Sequence, residues 1–174
     1  PYAGANAVVI SNIVKDILRM IDGFLERPDS LVLHEDLVPP EILYGMGLTP
    51  WMAEFLGIVL PLVSNTFMEQ YIDEAENNGI PADVCSLPKS TMGLVLRDEM
   101  PVPAAMLTSN MPCDGGMSSY TLMEKRMDVP TFRLDIPFNF YNERAVRYFA
   151  GELDRMIAWL ERHTPGRMDW DRLR

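Results

Sequence analysis

The chain has 174 residues and a net charge of −10, with 25 acidic and 15 basic side chains. This acidic balance argues against a nucleic-acid partner, because nucleic acids favour clustered Lys and Arg. Hydrophobic residues make up 48% of the chain, enough for a substantial core, and this excludes a disordered polypeptide. No apolar run reaches the roughly 18 residues that cross a bilayer, so the sequence predicts no membrane span.

The predicted elements alternate between helix and strand. In chain order they are helix 6–25, strand 30–34, a short helix from Pro39, strand 48–52, helix 56–78 interrupted or started near Pro61, a helix from Ser86, strand 104–108, helix 118–127, strand 131–136 and a long helix capped by Asn142. This alternation predicts an α/β, Rossmann-like fold with a mainly parallel sheet and helices on both faces. Neither dinucleotide-binding nor P-loop glycine motifs are present.

The two ends of the chain bear on its domain organisation, and its cysteine content bears on its cellular location. It begins at Pro1 without a methionine, and residues 168–174 resemble the start of a further element. We therefore expect residues 1–174 to be the N-terminal α/β domain of a longer subunit, with a helical lead-in over residues 1–27. Two cysteines in an acidic, Met-rich chain fit a reducing compartment better than a disulfide scaffold, so we expect a cytoplasmic location.

The stretch 82–116 contains both cysteines, Cys85 and Cys113. Each is predicted at a strand-to-helix junction, with residues 80–84 ahead of Cys85 and Ser118 as the cap of the helix after Cys113. Loops at the strand ends of an α/β sheet commonly form ligand-binding sites, so we expect the two thiols to face a common pocket there. The alternative is that both are buried as small hydrophobes, since no CxxC pair or Cys/His cluster supports a metal site.

Several stretches carry a resemblance to a known family. They are VPPEILYGMGL from Val38, ADVCSLPKSTMG from Ala82, CDG from Cys113, VPTFRLDIPF from Val129, and the long terminal helix followed by TPG from Thr164 and DWDRL from Asp169. Their order and spacing resemble the 2-hydroxyacyl-CoA dehydratase and ATP-dependent benzoyl-CoA reductase large subunits, over residues 31–174. The resemblance implies that Cys85 and Cys113 are the first two of three cysteine ligands of a 4Fe–4S cluster. The third would lie in a second domain outside this chain.

The resemblance also implies an activity typical of anaerobic metabolism, with particular partners. A separate ATP-hydrolysing iron–sulfur activator would pass one electron to a heterodimer of homologous subunits. The acyl-CoA substrate would become a radical anion, and water would leave from a 2-hydroxyacyl group. Reduction of a benzoyl-CoA-type ring is the close alternative. A cluster-free binding or scaffolding subunit is a third reading, since two thiolates do not complete the usual ligation.

Two carboxylates are candidates for proton transfer. Asp36 and Glu54 match the positions of a serine and a glutamate that lie beside the cluster in dehydratase subunits. Trp51, Met52 and Phe55 surround Glu54 in the sequence, so desolvation is expected to raise its pKa and suit it to proton transfer. The alternative for both residues is an ordinary surface carboxylate, and Asp36 in place of serine weakens the match.

Overall fold

The computed structural model describes residues 2–55, 57, 58, 66, 68–138 and 142–173. Within them, four strands form one sheet: β1 Leu31–His34, β2 Thr49–Met52, β3 Ala105–Ser109 and β4 Thr131–Leu134. The order is β2-β1-β3-β4, and each neighbouring pair is parallel. The predicted α/β fold with a parallel sheet is confirmed.

Helices flank this sheet. They are α1 Tyr2–Glu26, α2 Pro40–Gly45, α3 Glu69–Asn77, α4 Ser86–Leu96, α5 Asp114–Met127 and α6 Glu143–His163, with single 3-10 turns at Pro28–Ser30 and Trp170–Leu173. The predicted cap of α6 is confirmed, because Asn142 Oδ1 accepts a hydrogen bond from Ala145 N at 3.0 Å. The predicted break near Pro61 lies outside the described residues.

The core lies on both faces of the sheet. Successive strand residues point to opposite faces, so Leu31 and Leu33 join one core cluster while Val32 joins the other. Tyr120 of α5 belongs to the first cluster, and Leu160 of α6 belongs to the second. Burial on two sides explains why β1 reads as a continuous apolar run followed by a polar end.

The apolar stripe of α1 is only partly used. Ile17 is buried and Ile21 packs against the first core cluster. Ile13, Val14 and Leu18 of the same stripe are exposed. Within the described residues, no helix is long and apolar enough to cross a membrane.

The predicted strand before Cys85 is wrong. Residues 80–84 form turns between α3 and α4, and Cys85 follows this loop. Local bonds use the backbone groups that a sheet ladder would need. Val84 N donates to Pro81 O at 3.2 Å, and Ala82 O accepts from Lys89 Nζ at 2.7 Å. Proline also lacks the donor that an inner strand requires.

The predicted cap at Ser118 is also wrong. Helix α5 begins one turn earlier, at Asp114, and Cys113 is its N-cap residue. Cys113 Sγ accepts a hydrogen bond from Gly116 N at 3.5 Å, which satisfies one of the free amides of the first turn. Ser118 lies inside the helix, where its hydroxyl donates to Asp114 O at 2.8 Å.

Candidate functional site

The site lies at the carboxyl edge of the sheet. A cavity of about 190 Å³ opens there, lined by Glu35, Asp36, Met52, Glu54, Ile58, Cys85, Leu87, Pro88, Pro112, Cys113 and Gly116. The chain passes from β1 to β2 on one side and later to β3 on the other side of β1. The crevice beside such a switch of direction is the usual ligand site of an open parallel sheet.

The two cysteines line this same cavity, as the sequence predicted. Both side chains are exposed, so the alternative of two buried hydrophobes is wrong. Cys85 is the N-cap residue of α4, and Cys113 is that of α5. The first turns of two helices therefore face the cavity, and free amides at such ends favour anionic ligands.

Glu54 reaches the cavity from the turn after β2. Burial raises the pKa of Glu54 to about 7, and the nearby charge of Glu35 acts in the same direction. Hydrogen bonds oppose this rise: Ser119 Oγ donates to Oε1 at 3.2 Å and Tyr120 OH to Oε2 at 3.5 Å. The expected rise in pKa from desolvation is confirmed, and its value lies where a proton can be both taken and given.

Asp36 also lines the cavity, from the loop that follows β1. Its side chain is exposed, in contrast to the half-buried Glu54. The structure thus brings all four candidates from the sequence, Asp36, Glu54, Cys85 and Cys113, to one cavity. Their roles in catalysis or in cofactor binding remain predictions.

Glu35 is a residue of this cavity that the sequence reasoning missed. It directly follows β1, is 1% exposed, and its Oε2 accepts from Thr108 Oγ1 at 2.9 Å and from Ser109 N at 2.6 Å. Burial raises the pKa of Glu35, and these hydrogen bonds work against the rise. One signal was available: an acidic residue continues a fully buried strand, and such a group requires partners.

The family model for the D-component of 2-hydroxyglutaryl-CoA dehydratase matches residues 37–174. The chain belongs to the 2-hydroxyglutaryl-CoA dehydratase D-component family. A relative from Acidaminococcus fermentans, the alpha subunit of (R)-2-hydroxyglutaryl-CoA dehydratase, is 30% identical over 76 residues. The aligned stretch is 42% of this chain and 16% of the relative, so the chain spans a small part of that protein.

The dehydratase-family match includes three of the four candidates. Glu54, Cys85 and Cys113 lie inside residues 37–174, whereas Asp36 and Glu35 come immediately before them. The match therefore includes both cysteines and one of the two carboxylates, while the activity, the substrate and the cofactor of this chain are separate questions.

The donor set at the cavity provides a test of fit for an iron–sulfur cluster. In the part of the chain that the structure describes, no group of three or more His, Cys, Asp or Glu side chains is arranged to hold a metal ion. Cys85 and Cys113 are exposed and line one cavity, so they fit as two of the thiolate ligands. The remaining ligands would come from elsewhere.

Proposed function

We propose that this chain is part of the iron–sulfur subunit of a 2-hydroxyacyl-CoA dehydratase, which removes water from a CoA thioester. The observation that carries the proposal is that Cys85, Cys113 and Glu54 line one cavity at the carboxyl edge of the sheet. Soft thiolates suit an iron–sulfur cluster, and a carboxyl group with a pKa near 7 suits proton transfer.

In this proposal, Cys85 and Cys113 hold two positions of a 4Fe–4S cluster, and a third cysteine lies outside residues 1–174. The cluster, when bound, would supply the low-potential electron that makes the thioester reactive. The apolar side chains of the cavity, Met52, Ile58 and Leu87, would limit the access of water to this region.

Glu54 would be the proton carrier. Dehydration of a 2-hydroxyacyl thioester breaks the C2–O bond and a C3–H bond, and yields the 2-enoyl thioester and water. The electron that starts the reaction is returned at the end, so the elimination is redox-neutral. Glu54 would receive the C3 proton, while Ser119 and Tyr120 hold its carboxyl group in place. Asp36 would lie beside the leaving hydroxyl group at the mouth of the cavity.

The proposal implies two protein partners. One is a homologous second subunit, as expected for a relative that is itself named a subunit. The other is an ATP-hydrolysing iron–sulfur activator that delivers the electron. The family resemblance assigns ATP hydrolysis to this activator, and residues 1–174 contain no P-loop sequence of their own.

Iron analysis tests the proposal. The full-length protein, purified without oxygen, is expected to contain about four irons per subunit, as one cubane requires. Cys85→Ala and Cys113→Ala should each lose most of this iron, whereas the control Ser86→Ala, at an exposed neighbouring position, should keep it. Full iron content in both cysteine variants would exclude these residues as ligands.

A second candidate is a cluster-free binding subunit within a dehydratase complex. The observation that favours it is the lack of a three-ligand group among the described residues. In that case the anaerobic full-length protein would contain no iron, yet it would still associate with a homologous subunit.

A further inference from the structure

The Cys113 loop is attached to β1 through one buried side chain. Glu35 backbone N donates to Leu107 O at 3.0 Å, which extends the pairing of β1 with β3 by one residue. This pairing places the Glu35 carboxyl group beside the last residues of β3. Its Oε2 accepts hydrogen bonds from the Thr108 hydroxyl group and the Ser109 amide.

The same contacts continue along the chain toward the cysteine. The Ser109 hydroxyl donates to Met111 O and accepts from Met111 N at 3.2 Å. Ser109 Oγ also lies 3.3 Å from Glu35 Oε2, but its single proton is used by the closer Met111 carbonyl. The chain is thereby fixed from Glu35 to Met111, two residues before Cys113.

On the other side of Cys113, the first turn of α5 lies directly against Glu35. A Cβ atom added to Gly116 would be 2.4 Å from Glu35 Oε1, so this close approach requires glycine. Gly116 is also the residue whose amide donates to Cys113 Sγ. Glu35 Oε1 is buried and has no hydrogen-bond partner among the described residues, so this oxygen contributes contact and not a bond.

We propose that Glu35 is a positioning residue that sets the place of the Cys113 thiol in the cavity. It fixes the chain before Cys113 through Ser109 and limits the approach of the helix after Cys113 through Gly116. Cys85 stands on a separate loop, which Lys89 holds through Ala82 O. Loss of Glu35 should therefore move one thiol and not the other. The inference uses the proposed function only in taking Cys113 as a functional thiol.

Differential alkylation of the two cysteines tests this role. The full-length protein is freed of iron with a chelator and exposed to short pulses of iodoacetamide. Mass spectrometry then gives the labelling rates of the Cys85 and Cys113 peptides. In Glu35→Leu, the ratio of the Cys113 rate to the Cys85 rate should change about fivefold, the population change that corresponds to one lost hydrogen bond. The Cys85 rate is the internal reference and should stay as in the wild type.

Glu35→Gln is the conservative variant and should restore the wild-type ratio. Its amide oxygen can accept from Thr108 and Ser109 as Oε2 does, and its NH₂ group replaces an oxygen that has no partner. Gly116→Ala should shift the ratio as Glu35→Leu does, because the new methyl group displaces the carboxyl group. The control Gly151→Ala, where a Cβ meets nothing within 4 Å, should leave the ratio unchanged.

Three results would overturn the proposal. One is an unchanged ratio in a folded Glu35→Leu protein, and another is a change in the Cys85 rate while the Cys113 rate stays as in the wild type. If Glu35→Leu does not fold, Ser109→Ala removes only the link to Met111 and should shift the ratio in the same direction. An unchanged ratio in Ser109→Ala would then be the third. Iron loss in Cys113→Ala is a separate readout, so the proposed function can fail while this role of Glu35 stands.

Discussion

Replacement of Glu54 by Gln should stabilise the domain in a pH-dependent way. The pKa of Glu54 is about 7 in the folded chain, against an ordinary value of 4.5. As the pH rises, Glu54 therefore ionises in the unfolded chain before it ionises in the folded chain. Each unit of difference between the two pKa values changes the free energy of unfolding by up to about 1.4 kcal/mol. The stability associated with neutral Glu54 is complete below about pH 4.5 and is lost as the pH rises through about 7.

The size of the effect follows from these two values. Ionisation of Glu54 lowers the free energy of unfolding by about 1 kcal/mol at pH 5 and by about 3 kcal/mol at pH 8, relative to a side chain that stays neutral. Glu54→Gln removes this dependence, and its amide oxygen can still accept from Ser119 or Tyr120. The stability gained by the variant should therefore increase by about 2.5 kcal/mol between these two pH values.

Urea unfolding of the 174-residue chain at both pH values measures this difference. Glu41→Gln is the matched control, because it makes the same chemical change at an exposed position of α2 that does not line the cavity. If the stability difference between Glu54→Gln and the wild type were the same at both pH values, Glu54 would ionise in the folded chain as it does in water, and its pKa would not be raised.

Two further changes test the packing around the Cys85 loop, both by urea unfolding. Gly93→Ala should destabilise the chain by about 3 kcal/mol or more, because its Cβ would lie 1.9 Å from Tyr71 O. Its control is Gly151→Ala, where the added Cβ meets nothing within 4 Å and should stabilise the chain by up to about 1 kcal/mol. Glu76→Leu should cost about 1–3 kcal/mol, because it removes the ion pair at 2.7 Å from Lys89, which is 3% exposed. Equal stability of the two alanine variants, or an unchanged Glu76→Leu protein, would contradict these assignments.

The sequence predicted elements well where a strong local signal marks them. Helix α6 has a capping Asn142 at one end and Thr164 just beyond the other, and an apolar stripe between them, so its bounds were correct. Strand β1 was correct because Pro28 and Pro39 stand on either side of its apolar run. In these regions the local preference and the tertiary fold agree.

The errors occur where tertiary contacts replace local signals. The pair Gly115–Gly116 was predicted to precede the helix, yet it lies in the first turn of α5, where Glu35 leaves no room for a side chain at position 116. Residues 80–84 were predicted to form a strand. The Lys89 ammonium group instead donates a hydrogen bond to Ala82 O, a carbonyl group that a strand would need for its ladder. Glu35 was missed since its hydrogen-bond donors, Thr108 and Ser109, are more than 70 residues away in the sequence.

The cavity itself was predicted more closely than its local structure. Cys85 and Cys113 share one space although the element before Cys85 is a loop and not a strand. Residues that follow the parallel strands β1, β2 and β3 meet at one edge of the sheet, whatever the details of each loop. Topology therefore brings Glu35, Glu54 and Cys113 to this edge, whereas Cys85, which follows no strand, reaches it through the packing of α4 against α5.

Diffraction at the iron absorption edge, from crystals of the full-length protein grown without oxygen, would locate the metal. We expect an anomalous signal in the cavity at the carboxyl edge of the sheet, from iron bonded to the sulfur atoms of Cys85 and Cys113. A structure in which iron is held elsewhere, or in which both sulfurs lie in this cavity without iron, would contradict this expectation.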